Sequence, residues 1–181
     1  MRWLGWFSRK SEEDAAIEAW RAAWAAAAEM ADRRQVEALR AQLAAAGLDH
    51  DEREIEREML EGLEALVALK ESIGPGLPPA VATGHRAVGR DECYFVAPAS
   101  LPDDPAQPGG TLLLTKTRAI FVGGAKALTI PWHSVAVCRR QERDVVFVRT
   151  DRPDLHRLRC NTFGEALRAV FLARHLTARR I

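Results

Sequence analysis

The sequence predicts an α+β protein, in which an N-terminal antiparallel helical hairpin precedes a small antiparallel β-barrel or sandwich capped by a C-terminal helix. Apolar residues recur at helical spacing in the first part of the chain. After Pro79 the pattern changes to short strand-like runs separated by turn residues. The Gly- and Pro-rich run 74–79 lies between the two patterns, so residues 1–76 and 80–181 are expected to form separate domains.

The helical half begins with Ser11 and three acidic residues, a pattern typical of a helix start. The first apolar stripe then consists of Ile17, Trp20, Trp24, Ala28, Ala31, Leu39 and Leu43. Gly47 is expected to end this helix, and the sequence leaves open whether Asp32 to Arg34 breaks it. A second helix is expected to end near Ser72, with a stripe of Ile55, Met59, Leu63, Leu66 and Leu69.

An unbroken first helix would be roughly 54 Å long against roughly 33 Å for the second, at about 1.5 Å per residue. Its front would therefore overhang and carry Trp20 and Trp24. Either these rings pack against the protein's own domain, or they form a docking surface for a second copy or another protein.

The N-terminal segment combines aromatic and basic residues, namely Trp3, Trp6 and Phe7 with Arg2, Arg9 and Lys10. Such a composition suits a membrane interface or a hydrophobic groove on a partner. The alternative is that the aromatic rings fold back onto the helical pair.

Eight runs in the second half are predicted to be strands: Thr83–Val88, Glu92–Ala97, Thr111–Thr115, Ala119–Val122, Lys126–Ile130, Ser134–Cys138, Val145–Arg149 and Leu155–Cys160. Gly84 weakens the first run. Turns are expected at Gly123-Gly124 and at 152–154. The segment Ala99–Gly110 is predicted to be one long loop that either covers a ligand site or is mobile surface.

The C-terminal helix is predicted from Thr162 and Glu165, which form a capping box. Its expected sheet-facing residues are Phe163, Ala166, Leu167, Val170 and Phe171. Leu172 and Leu176 are expected to point away from that face and to need another partner.

The charge is unevenly distributed, with a net −6 over residues 1–76 and +7 over residues 77–181. The candidate anion-binding residues lie on the late strands: Arg139, Arg140, Arg149, Arg157 and Arg159. Alternation places Arg157 and Arg159 on one face, and Arg149 is expected to lie across from them. This face could contact nucleic acid, anionic lipid or the protein's own acidic helices, or be solvated.

No sequence motif indicates catalysis, a cofactor or a metal, so an enzyme is not expected. Cys93, Cys138 and Cys160 are widely spaced and lie in predicted strands, which favours buried thiols in a reducing compartment. The longest uncharged apolar run is too short to span a bilayer, which takes about 20 residues. A cytoplasmic location is expected, with the inner face of the membrane as an alternative.

The run from Gly110 to Phe121 resembles the strand-turn-strand core of GRAM and bacterial pleckstrin-homology-like (PH-like) domains, which carry an L-T-x-x-R motif followed by x-x-F. Ile130-Pro131-Trp132 and Val135 resemble the next strand of those families. The resemblance covers residues 80–176. It implies that Thr115 and Arg118 order the turn and that Phe121 and Trp132 fill the core.

The resemblance also implies a binding role, with lipid headgroups or peptides bound by eukaryotic members and assembly served by bacterial ones. Members that bind phosphoinositides carry basic residues across the first hairpin. The corresponding positions here are expected to be His85, Arg86 and Arg90, next to Asp91 and Glu92, so that pattern is absent.

The sequence therefore predicts a non-catalytic interaction or scaffold module of PH/GRAM type that acts through protein contacts, including self-association. A peripheral module for anionic membranes, using the N-terminal aromatic residues and the basic strands, is the first alternative. Binding to a nucleic-acid backbone is the second.

Overall fold

The computed structural model describes residues 4–45, 53–124, 126–151 and 155–179, with side chains described from Glu13 onward. The chain divides into two compact units, Met1–Ala68 and Leu69–Ile181. The predicted fold class is confirmed: helices are followed by an antiparallel sheet with a C-terminal helix. None of the described helices combines the length and apolar character needed to cross a bilayer.

The first unit contains the helices α1 (Leu4–Met30) and α2 (Arg33–Ala45) and most of α3 (Glu54–Ile73). The predicted start at Ser11 is wrong, because α1 already begins at Leu4. The predicted end at Gly47 lies outside the described residues.

A break at Ala31 separates α1 from α2, which settles the question that the sequence left open. Ala31 has a backbone φ of 39°, a left-handed conformation that no helix interior adopts. Asp32 then caps α2, since its Oδ1 accepts a hydrogen bond of 2.8 Å from the Gln35 amide. The chain can therefore turn back at this point.

The two buried tryptophans determine how the three helices pack. The Trp20 indole N–H donates to the Leu39 carbonyl of α2 at 2.9 Å, and the Trp24 indole N–H donates to the Met59 carbonyl of α3 at 2.7 Å. Since Trp20 precedes the break and Leu39 follows it, α1 and α2 are antiparallel. The proposed overhang carrying these two rings is wrong, because both rings are buried inside the first unit.

The second unit contains one seven-stranded antiparallel sheet in the order β4-β3-β2-β1-β7-β6-β5. Its strands are β1 Cys93–Ser100, β2 Gly109–Thr115, β3 Arg118–Gly123, β4 Lys126–Pro131, β5 Val135–Gln141, β6 Asp144–Arg149 and β7 Leu155–Cys160. No pairing of β4 with β5 closes the sheet within the described ranges, so it is an open sheet. The strand order and the single terminal helix are consistent with a PH-like fold.

Two predicted features of this unit change in the structure. The strand expected at Thr83–Val88 does not form, because residues 86–90 make successive turns and Gly89 has a φ of 65°. The long loop expected at Ala99–Gly110 is shorter in the structure and contains residues 101–108, because the residues at its two ends belong to β1 and β2. The turn expected at 152–154 lies outside the described residues.

The residues that carried the family resemblance occupy the expected places. Phe121 and Trp132 are buried in the main core cluster. Thr115 orders the β2–β3 turn, because its hydroxyl donates to the Arg118 carbonyl at 2.9 Å and accepts from the Arg118 amide at 3.2 Å. The Trp132 indole N–H donates to the Thr115 carbonyl at 2.9 Å, which ties the turn to the core.

The terminal helix α4 (Phe163–Ala178) covers one face of the sheet and begins with the predicted Thr162–Glu165 capping box. The prediction that Leu172 and Leu176 point away from the core is wrong, because both are buried in the main cluster. The small residues Ala166, Ala169 and Ala173 are also fully buried. Their lack of bulk lets the helix approach the sheet closely enough to cover the leucines on either side.

The capping box gives a first prediction. Thr162→Ala should lower the free energy of unfolding by about 1 kcal/mol, because the Glu165 amide loses its acceptor. Urea denaturation followed by circular dichroism measures the change. Thr162→Ser is the matched control and should remain close to the wild type. Equal losses for both variants would contradict the capping role.

The tryptophan geometry gives a second prediction. Trp24→Ala should destabilise the protein by about 3–5 kcal/mol, because it empties a buried site and leaves a cavity. Trp24→Phe retains most of the ring and should cost less, on the order of 1 kcal/mol for the lost hydrogen bond. Thermal unfolding monitored at a helix wavelength measures both variants. A neutral Trp24→Ala variant would show that the ring does not hold α1 to α3.

Candidate functional site

The candidate site is the face of β5, β6 and β7 that points away from α4, here called the outer face. Strand register divides it into three rows. The first row is Val137, Val148 and Leu155; the second is Arg139, Val146 and Arg157; the third is Gln141, Asp144 and Arg159. The residues between them along the strands, such as Phe147 and Leu158, point into the main core.

The first row is apolar and open to solvent. The Val137 side chain is 50% exposed and Leu155 is 41% exposed, whereas Val148 between them is half-buried. Neighbouring strands lie about 4.8 Å apart, so the three side chains form one continuous strip. This strip is the apolar part of the outer face.

The second row carries charge next to that strip. The Arg139 side chain is exposed and makes no hydrogen bond or ion pair with any residue that the structure describes. The Arg157 Nε atom lies 3.7 Å from Asp144 and 3.8 Å from Asp103, too far for a hydrogen bond. Val146 between the two arginines is fully buried although it points outward, as expected when long side chains cover it.

The third row is neutralised by a buried carboxylate. Asp144 is almost fully buried and accepts hydrogen bonds from Arg159 Nε at 2.8 Å and from Arg159 Nη2 at 3.2 Å. This interaction raises the pKa of Arg159, with the Asp144 hydrogen bond as its main cause. The guanidinium of Arg159 therefore pairs with Asp144 rather than with an external anion.

Two of the five candidate arginines lie on the other side of the sheet. Arg140 pairs with Val145, and Arg149 follows Phe147 by two residues, so both share the side of the core residues. The expectation that Arg149 lies across from Arg157 is wrong, because β6 places alternate residues on opposite faces. Arg149 instead binds Asp151, with Nε–Oδ1 and Nη2–Oδ2 distances of 2.8 and 2.5 Å.

The loop between β1 and β2 is acidic. Residues 101–108 contain Asp103 and Asp104 and neither lysine nor arginine. Asp103 is paired with Arg157 of β7, and Asp104 with Lys126 of β4. The residues assigned to the first hairpin, His85 to Arg90, actually precede β1, so that assignment is wrong. The hairpin that does form lacks the basic pattern as well.

The N-terminal candidates have no described side chains. Trp3 lies outside the described residues, whereas Trp6 and Phe7 belong to α1. Arg21 contacts Glu56 and Trp24 contacts Met59, so α1 and α3 run parallel in the first unit. From these contacts and the rise per residue, roughly the first 15 Å of α1 extends past the described ends of α2 and α3. An overhang thus exists, but it contains residues 4–13 rather than Trp20 and Trp24.

No group of three or more His, Cys, Asp or Glu side chains within the described ranges could hold a metal ion. The three cysteines are buried and unpaired. Burial raises the pKa of Cys138 and of Cys160 to about 12, and it also raises the pKa of Cys93. Thiols of this kind act as small apolar side chains.

The raised thiol pKa values give a third prediction. The native protein should not react with a disulfide reagent such as DTNB at pH 8, because the thiolate fraction is negligible and the sulfur atoms are covered. All three thiols should react once the protein is unfolded in guanidinium chloride. Absorbance of the released thiolate measures both states. A thiol that reacts rapidly in the native protein would contradict the burial.

Comparison with known proteins gives weak likenesses of structure. No family model and no curated protein matches the chain. A crystal structure of the C-terminal domain of an unknown protein from Leishmania infantum is similar over 50% of this chain and 88% of that chain, with 12% identity and a TM-score of 0.43. The DH/PH fragment of PDZ-RhoGEF, in a crystal structure with human RhoA, is similar over 80% of this chain and 46% of that chain, with 12% identity and a TM-score of 0.44. The linker-DH/PH domains of p115-RhoGEF are similar over 81% of this chain and 49% of that chain, with 10% identity and a TM-score of 0.43. The chain thus spans about half the length of these two.

Proposed function

We propose that the chain is a non-catalytic, GRAM-like interaction module of the cytoplasm that binds another protein through its outer face. The observation that carries the proposal is the apolar strip of Val137, Val148 and Leu155, which lies directly beside Arg139 and Arg157. An aliphatic centre with charges at its edge is the usual composition of a protein interface.

The charge arrangement supports a protein partner over a phosphate backbone. Nucleic acid binding needs several cations that can each neutralise a phosphate. On the outer face Arg159 is bound to Asp144, and Arg157 lies between two aspartates. Arg139 is left as the one cation of the three rows that has no described partner. A single such cation beside an aliphatic strip favours a protein.

The β1–β2 loop supports a protein over a lipid headgroup in the same way. The family resemblance would place a phosphoinositide at the first hairpin, yet the loop offers Asp103 and Asp104 there. Carboxylates at that position repel a phosphate. Membrane binding would therefore have to come from the N-terminal segment with Trp3, Trp6 and Phe7.

A fourth prediction compares the strip with a matched exposed valine. Affinity capture with the full chain should retain partner proteins for the wild type and for Val96→Asp, and should lose them for Val137→Asp. Val96 is the control because it is 40% exposed on β1, away from the strip. Each retained protein is then purified and titrated against all three variants.

Vesicles of anionic phospholipid provide the second arm of this experiment. Co-sedimentation of the full chain should be absent at physiological salt and unchanged by Trp6→Ala. Strong co-sedimentation that disappears in Trp6→Ala, together with capture that Val137→Asp leaves unchanged, would replace the protein-binding proposal with the membrane alternative.

A further inference from the structure

We propose that the outer face of one chain binds the exposed acidic face of α3 in a second copy of the same chain. This inference rests on the proposed function, since it uses the same surface and names its occupant. It names the two surfaces that meet, which are the outer face and the acidic face of α3, and the residues that pair.

The acidic face of α3 consists of Glu54, Glu58, Glu61 and Ala65, with Ile55 at its edge. These residues follow each other at spacings of three and four, so they line one side of the helix. Glu54 and Glu61 are exposed and pair with no residue that the structure describes. Ile55 is 49% exposed, one of the largest values for an aliphatic residue in the described chain.

The two faces carry opposite charge. The first unit has nine Lys or Arg residues against fifteen Asp or Glu residues, a net charge of −6. The second unit has seventeen against ten, a net charge of +7. Opposite net charges of this size favour association between copies.

The spacing of the charges also matches. Arg139 and Arg157 flank β6 and are separated by two strand spacings, about 10 Å. Glu54 and Glu61 are seven residues apart on a helix, about 10.5 Å along its axis. A helix lying across the strands can therefore place Glu61 over Arg139 and Glu54 over Arg157. The edge residue Ile55 is then within reach of the strip of Val137, Val148 and Leu155.

The incomplete pairing of Arg157 fits this arrangement. Its Nε atom is buried and has no hydrogen-bond acceptor, although two carboxylates lie within 4 Å. A glutamate from a second copy would not reach the buried Nε atom, but it would pair with the part of the guanidinium that is exposed. Arg139, which has no side-chain partner among the described residues, would gain one. Arg139 and Arg157 thus each have a defined role in the contact.

Sedimentation velocity on the full chain at increasing concentration tests the proposal. The wild type should associate, and the dissociation constant should rise with ionic strength because exposed charges are screened. Arg139→Glu and Glu61→Arg should each weaken association by about tenfold or more, since each places like charges together. The control Arg90→Glu makes the same charge change on an exposed residue before β1 and should leave association unchanged.

The charge-swapped pair makes the test specific. The double variant Arg139→Glu/Glu61→Arg should recover most of the lost association, because the ion pair is restored with its signs exchanged. A chain that stays monomeric at every concentration would overturn the inference, as would a double variant that is no better than the singles. Neither result would touch the proposed function, which the partner capture with Val137→Asp tests separately. Thermal unfolding of each variant confirms that it is folded.

Discussion

The ion pair between the buried Asp144 carboxylate and Arg159 determines how much positive charge the outer face presents to a partner. Asp144 is the first residue of β6 and accepts two hydrogen bonds from Arg159, and Arg157 approaches it at 3.7 Å. A carboxylate with so little contact with water must be paired, so these arginines are required by the fold itself. What looks like a basic patch in the sequence is therefore largely an internal ion network. The charge left for a partner is reduced to Arg139 and part of Arg157.

This reduction favours a protein partner over the other kinds that the sequence allowed. A phosphate-binding surface would need its cations unpaired, whereas a protein interface works with one or two charges around an apolar centre. The apolar centre is present in the row of Val137, Val148 and Leu155. Ion pairs within the protein also explain why the acidic loop with Asp103 and Asp104 is compatible with the fold. The loop is anchored to Arg157 and Lys126 and needs no external ligand.

Much of the fold follows from the sequence, since the signals are local. The capping box at Thr162, the L-T-x-x-R turn and the strand runs from Glu92 onward all depend on neighbouring residues, and the structure contains each of them. The break between α1 and α2 also had a local signal in Asp32, but it competed with a strong apolar stripe. The stripe continues across the break because both helices use it to bury residues against each other.

The candidate site was less predictable for a physical reason. Residues 145–148 are all apolar, so the run does not alternate and the sequence cannot tell which valines face outward. The register that places Val148 beside Val137 and Leu155 depends on pairings between distant strands. Asp144 was missed for the same reason, since only the β6–β7 pairing brings it opposite Arg159. A strand-by-strand count could have separated Arg149 from Arg157 once that register was known.

The central claim is that the outer face is where this protein meets another protein chain. Replacing Val137 with a photo-reactive phenylalanine analogue in the 181-residue chain, followed by mass spectrometry, tests it most directly. The account predicts intermolecular cross-links from position 137, with peptides of α3 from an isotopically labelled second copy among them, and few from the same analogue at position 96. Cross-links that are absent at position 137, or equally abundant at both positions, would contradict it.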